Sequence, residues 1–189
     1  VSLPENIELV EEIKCNTSSM EGDINLLQQV ILNVLNNARD ALAGQTRPRI
    51  IVRVELSQPS PSDIELHPEL SSKEYAVITI NDNGCGMSPE LLERAFEPFQ
   101  TTKEVGKGTG LGLSMSYGVV RGHDGLIIID SVENEGTGVR IFLPVIEGEQ
   151  QDSSAQKDNK ATVPGNGELI DRKSTRLNSS HLVISYAVF

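Results

Sequence analysis

Four short stretches of this 189-residue sequence carry side chains whose types and spacing suit chemistry. The first is Asn33-Val34-Leu35-Asn36-Asn37-Ala38-Arg39-Asp40. On a helix turning roughly 100° per residue, Asn37 lies about 40° to one side of Asn33 and Asp40 about 20° to the other, so all three share a face. Carboxamide oxygens there are neutral ligands for a hard cation such as Mg²⁺, although a plain solvated face has the same pattern. The second stretch, Asp82-Asn83-Gly84-Cys85-Gly86-Met87, directly follows a β-rich run. Its glycines let the backbone pass close to a ligand. Its acid can accept a hydrogen bond from an exocyclic amine such as adenine N6. An ordinary Asp-Asn-Gly turn is the alternative. The third is Phe96-Glu97-Pro98-Phe99, followed by Thr101-Thr102-Lys103. It reads either as an apolar latch on a mobile lid or as a loop anchored in the core, and Lys103 can reach a phosphate as a point charge. In the fourth, Gly106, Gly108, Gly110 and Gly112 alternate ahead of a helical run. Such spacing lets successive N–H groups face an anion, and the helix N-terminus adds favourable partial charge. A flexible hinge is the other reading. The pattern is not the GxxxxGK[ST] phosphate loop, and no strand runs directly into it as a dinucleotide fingerprint requires.

These stretches need elements to hold them. Leu27, Ile31, Val34, Ala38 and Leu42 recur at spacings of three and four, which predicts a helix over 24–43. Asp23 or Gly22 begins it and Gly44 follows its end. Residues 7–14 read as an edge strand, and 50–56 and 75–81 as β-rich strands. The Pro- and Ser-rich run between the last two reads as a connection decorating one edge of the sheet. Ser88 and Pro89 open a short helix over 88–95. A second helix over 111–121 stops near Gly122, and strands 126–131 and 138–144 flank a turn at Glu135-Gly136. The late strands are hairpin-connected, which disfavours a purely parallel sheet. The expected class is α+β, a mixed sheet with helices packed on one face.

Net charge is −11, with 16 Lys plus Arg against 27 Asp plus Glu, which argues against non-specific nucleic-acid binding. No apolar run approaches the roughly 18 residues of a membrane span. The chain begins at Val1 with no signal peptide, so the reading expects a missing N-terminus. Cys15 and Cys85 match no metal-ligand spacing and read as reduced intracellular thiols, with one pairing left open. Three segments are expected: a domain over 1–146, a polar interdomain linker over 147–171, and a tail over 172–189 of doubtful origin that resembles library-derived read-through.

Taken together, the four stretches resemble the N, G1, F and G2 boxes of the catalytic ATP-binding domain of sensor histidine kinases. That domain belongs to the superfamily shared with gyrase-, Hsp90- and MutL-type ATPases. The likeness covers roughly residues 3–145, and the run FEPFQTTKEVGKGTGLGLSMSYGVV looks most like the nitrogen-regulator and hybrid-sensor branch. It implies a two-layer α/β sandwich with a mixed sheet, the Bergerat-type ATP-binding fold. It implies ATP and Mg²⁺ as cofactors, with Asn37 on the metal and Asn33 beside the phosphates, Asp40 sharing their nucleotide-binding face. Asp82 would read adenine with Thr137 nearby, while Gly84 and Gly86 let the chain pass under the nucleotide. Lys103 and the loop carrying Gly108, Gly110, Leu111 and Gly112 would form the ATP lid. Hydrolysing members usually place Glu where Asn33 stands. An amide cannot take a proton from water, so the resemblance favours phosphoryl transfer to a protein histidine, with Asn33 and Lys103 catalytic.

The sequence departs from that family in two respects, its histidines and its C-terminus. His67, His123 and His181 are its only histidines, and none lies on an expected helix beside an acid. The phospho-acceptor is therefore expected on a separate dimerisation domain of the parent protein. A response regulator or receiver domain follows as downstream partner, and GNGELID at 165–171 resembles the start of a truncated receiver. The expected location is cytoplasmic, with no direct membrane contact by this fragment. The alternatives are a conformational ATPase of the same superfamily and a non-catalytic nucleotide-binding regulator.

Overall fold

In the computed structural model, residues 4–14, 20–101 and 108–146 are described. The expected linker and tail, Cys15, and Thr102 to Lys107 lie outside them.

The chain runs β1 (Glu8–Ile13), α1 (Ile24–Ala41), β2 (Arg49–Ser57), α2 (Pro61–Leu66), β3 (Tyr75–Asp82), α3 (Pro89–Glu93), α4 (Gly112–Gly122), β4 (Leu126–Val132) and β5 (Gly136–Pro144). The sheet order is β1-β2-β3-β5-β4. β1 pairs parallel to β2 at one edge, and every other pairing is antiparallel. The mixed sheet and the edge position of the first strand match the sequence reading.

Strand alternation splits the apolar side chains between two faces. Ile50, Val52, Val54, Ala76, Ile78, Ile80, Val139, Ile141 and Leu143 point to the face covered by α1 and α4. α1 contributes Leu27, Val30, Ile31, Val34, Leu35 and Ala38 to this core. That arc is broad enough to seat one side of the helix while Asn33, Asn37 and Asp40 stay on its flank. Asp23 caps α1, its carboxylate accepting from the N–H groups of Asn25 and Leu26. His123, just after α4, holds the same point. Its Nε2 accepts from the Asp23 N–H at 2.9 Å, and its Nδ1 lies 2.8 Å from the Val119 carbonyl oxygen. The imidazole thus links the start of α1 to the end of α4.

The connection between β2 and β3 differs from expectation. It contains α2, closed by a capping box between Ser60 and Asp63 with Pro61 in the first turn. It also packs across the second face of the sheet and does not merely decorate an edge. Ile64 and Leu70 cover Tyr75, Val77, Leu126, Ile128 and Phe142. Arg140 on that face holds Asp63 at 2.7 Å and Asp130 at 3.0 Å. Both faces of the sheet are therefore covered at the Tyr75–Phe142 end of β3 and β5, the end away from Asp82 and Thr137.

Candidate functional site

β3 ends at Asp82, and β5 begins beside it, with Asp82 and Thr137 in register. The Asp82 carboxylate accepts from the Gly84 N–H at 2.8 Å and from the Thr137 backbone N–H. Burial pushes its pKa upward, and the two N–H bonds pull it back only in part. A carboxylate this enclosed is poised to gain from a further donor.

The 83–87 loop lies against the end of α1. The Cys85 N–H donates to the Ala41 carbonyl at 3.0 Å. A Cβ on Gly84 would come within 2.6 Å of that same oxygen, so the loop can sit there only with glycine. Gly86 has φ +63°, and a Cβ would run into the Val132 carbonyl oxygen. The β4–β5 turn closes over the other side, with the Asn134 N–H donating to the Cys85 carbonyl at 2.7 Å.

Across from this loop, α4 begins without a side-chain cap, which leaves first-turn N–H groups in need of partners. Gly110 has φ +64°. Its carbonyl accepts from the Phe99 N–H at 2.9 Å, so the glycine-rich and Phe-Glu-Pro-Phe segments are joined backbone to backbone. The core-anchored reading of this segment holds for Phe96. Phe96 packs on the core, with its ring 5.0 Å from that of Tyr117. Phe99 is 75% exposed at φ +66°. Asn33 spans to α4: its amide Nδ2 lies 3.5 Å from the Gly112 carbonyl oxygen, and its Oδ1 accepts from Gln29 at 3.1 Å. The buried Ser116 hydroxyl also donates to that carbonyl, at 2.8 Å.

Between these parts lies a cavity of about 640 Å³, within the range of pockets for small molecules and cofactors. Ile80, Ile129 and Val139 form an apolar floor from the sheet. Asn33, Asn37 and Asp40 line it from α1, Asp82 and Thr137 from the strand ends, and Gly86, Gly108, Gly110 and Gly112 from the loops. Arg39 pairs with Asp40 at 2.8 Å at the rim. Gly84 and Leu111 do not line it: Gly84 docks the loop on α1, and Leu111 occupies the N-cap position of α4. Lys103 lies outside the described residues. The sequence reading did not single out Asn36, Cys85 or Met87, which also face the cavity. Cys85 carries an exposed thiol. It also passed over Ser131, which ties the 83–87 loop to β5, because a lone serine near a strand end has no local signature.

An apolar slot with a half-buried carboxylate at one end and an uncapped helix start at its wall suits a nucleotide. Comparison with known proteins places it. The family described as "Histidine kinase-, DNA gyrase B-, and HSP90-like ATPase" matches residues 22–147, and the chain belongs to it. It is 42% identical over 147 residues to the sensor kinase CckA of Brucella abortus, covering 75% of this chain and 15% of that protein. It is also 42% identical over 135 residues to the two-component sensor PprA of Pseudomonas aeruginosa, covering 67% of this chain and 13% of that one. Its fold matches the catalytic domain of the histidine kinase ThkA with a TM-score of 0.56 at 26% identity, covering 74% of this chain and 79% of that one. The described domain is accordingly a histidine kinase-type ATP-binding catalytic domain, and the chain spans only a small part of the length of the curated relatives it matches.

Proposed function

We propose that the cavity holds ATP with adenine at Asp82 and Thr137 and with its phosphates along Gly108, Gly110 and Gly112, beside the N-cap Leu111. On this reading the domain transfers the γ-phosphate to a histidine nitrogen on a separate dimerisation domain of the parent protein. The observation that carries the reading is the joint placement of Asp82, Asn33, Asn37 and the start of α4 around one apolar-floored cavity. The histidine nitrogen attacks the γ-phosphorus, the bond to the β–γ bridging oxygen breaks, and ADP leaves with that oxygen. The protein's part is alignment and charge stabilisation. Backbone N–H groups at the start of α4 face the phosphates, and Lys103 adds a positive charge. Gly84 and Gly86 keep the chain low beneath the nucleotide.

Asn37 and Asp40 offer the hard oxygen donors that suit Mg²⁺, with Asn37 as the direct ligand. Among the described residues no group of three His, Cys, Asp or Glu is placed to hold a metal. This suits an ion that takes most of its ligands from phosphate and water. When bound, Mg²⁺ neutralises charge on the phosphate oxygens. The Asn33 amide cannot act as a base toward water, and its bonding to Gly112 and Gln29 supports a positioning role. A response regulator or receiver domain would accept the phosphoryl group next. The expected setting is the cytoplasm, where ATP is held; among the described residues no helix is long and apolar enough to cross a membrane.

The test mixes this chain with γ-labelled ATP and Mg²⁺, with and without the parent's histidine-bearing hairpin. Acid-labile, base-stable label on the hairpin supports the proposal. Rapid release of inorganic phosphate without the hairpin indicates an ATPase, and binding without either indicates a non-catalytic regulator.

A further inference from the structure

Three side chains stand in one row across the cavity face of the sheet. Asp82 on β3 is in register with Thr137 on β5, and Thr137 is in register with Ser131 on β4. They share the parity of Ile80, Val139 and Ile129, which floor the cavity. Asp82 and Thr137 line the cavity, and Ser131 stands behind Thr137.

The Ser131 hydroxyl meets three groups. The Met87 N–H reaches its oxygen at 2.9 Å, the Gly136 carbonyl oxygen lies at 3.0 Å, and Thr137 Oγ1 lies at 2.9 Å. A serine hydroxyl has one proton and two acceptor positions. Met87 can only donate, which fills one acceptor position. The Gly136 carbonyl can only accept, which takes the single proton. All three contacts are satisfied together only if Thr137 donates its proton to Ser131. The Thr137 oxygen is then left with acceptor capacity alone toward the cavity, beside a carboxylate that also only accepts.

We infer that Ser131 is a positioning residue for base selection: it holds the Thr137 proton away from the ligand, so the row presents acceptors to the base edge. This inference rests on the placement of the base at Asp82 proposed above. A purine with an exocyclic amine, or a water donating to Thr137, fits such a row. A purine with a carbonyl at that position sets its oxygen against two acceptors. Ser131 thereby adds to the discrimination that Asp82 supplies, without touching the nucleotide, and it pins Met87 of the 83–87 loop at the same time.

The test titrates ATP and ITP, which differ at this position by amine against carbonyl, into the full chain and its variants. Wild type should prefer ATP. Ser131→Ala lets the Thr137 hydroxyl turn and donate, so the ATP/ITP affinity ratio should fall by about fivefold, the equivalent of one ordinary hydrogen bond. Ser131→Thr keeps the hydroxyl and should restore the ratio. In a Thr137→Val background Ser131→Ala should leave the ratio unchanged, and if Ser131→Ala folds poorly, Thr137→Val alone, which removes the hydroxyl that Ser131 orients, should change the ratio while Ser131→Thr does not. Equal weakening of both nucleotides by Ser131→Ala, or no change in either, overturns the inference. Asp82→Asn separates the two levels. If it leaves both affinities and their ratio unchanged, the base placement falls and this inference with it. If it weakens ATP while Ser131→Ala leaves the ratio intact, only the role of Ser131 falls.

Discussion

Glycines in a phosphate-binding loop serve two purposes, and Gly110 and Gly112 separate them. Gly110 has φ +64°, and a Cβ there would run into the Phe99 carbonyl carbon and lie 2.7 Å from Phe99 Cα and 2.8 Å from Gln100 N. All three are backbone atoms that cannot swing aside. The left-handed conformation costs a non-glycine residue about 1–2 kcal/mol, and forcing a methyl into a filled space costs about 1–3 kcal/mol more. Gly110→Ala should therefore lose about 2–5 kcal/mol, a large share of the roughly 5–15 kcal/mol that holds a domain together. Gly112 is different. A Cβ there would meet only Asn33 Cβ and Cγ, each at 3.9 Å, an ordinary contact. It opens α4, where alanine is better than glycine by about 0.5–1 kcal/mol. Gly112→Ala should raise the melting temperature of the nucleotide-free protein slightly. Yet Gly112 lines the cavity, so a methyl there occupies space assigned to phosphate and should weaken ATP by about tenfold or more, near 1.4 kcal/mol. Thermal melts with and without Mg·ATP read both effects. A Gly112→Ala protein that melts higher and keeps its full ATP shift would refute the phosphate-loop assignment, and one that melts several degrees lower would refute the packing analysis.

Three further outcomes are expected. Phe96→Ala should cost about 2 kcal/mol, below the range for a fully buried phenylalanine, whereas Phe99→Gly should be neutral or gain about 1 kcal/mol by relieving its positive φ; urea unfolding distinguishes them. For Asp63, burial raises the pKa, but hydrogen bonds from Ser60 and Arg140 outweigh it and hold the carboxyl below its ordinary 3.8. A depressed folded value gives stability that is present above the unfolded value and lost as pH falls through the folded one. The stability difference between wild type and Asp63→Asn should therefore persist at pH 5 and shrink only in strong acid, as measured by urea midpoints against pH. For Asp82 the sign reverses, because burial holds the folded value above 3.8. Its contribution to folding is fully present below 3.8 and lost as pH rises through the raised value. Binding that needs the ionised form should weaken on acidification at a pH above 3.8, read by titrating adenosine, which has no phosphates of its own to protonate.

Much of the fold was legible because local and tertiary signals agree. The stripe from Leu27 to Leu42 marks α1, Asp23 caps it, and Ser88-Pro89 opens α3. Hairpin-connected late strands implied a mixed sheet, and the sheet is mixed. α2 escaped although Ser60 and Asp63 form a capping box, because Ile64 and Leu66 are too few to display a period amid three prolines. Its burial partners, Val77, Leu126, Ile128 and Phe142, come from strands elsewhere in the chain. The site was legible where chemistry is written locally, as in the 82–87 and 106–114 runs. What stayed hidden depends on register. Ser131 matters because β4 and β5 set it against Thr137, and the need for glycine at 84 comes from the approach of Ala41 across the fold. Neither contact has a mark in the one-dimensional pattern.

The central claim, that Asp82 anchors adenine in this cavity, is tested most directly by calorimetric titration of Mg·ATP into wild type and Asp82→Asn. The carboxylate accepts from both Gly84 and Thr137, whereas the amide is neutral and carries one acceptor oxygen in place of two. Loss of charge-assisted acceptance at this half-buried site corresponds to about 1.5–3 kcal/mol. The account predicts ATP affinity at least about tenfold weaker in the variant, with the fold retained by circular dichroism. Unchanged affinity in a folded Asp82→Asn protein would contradict it.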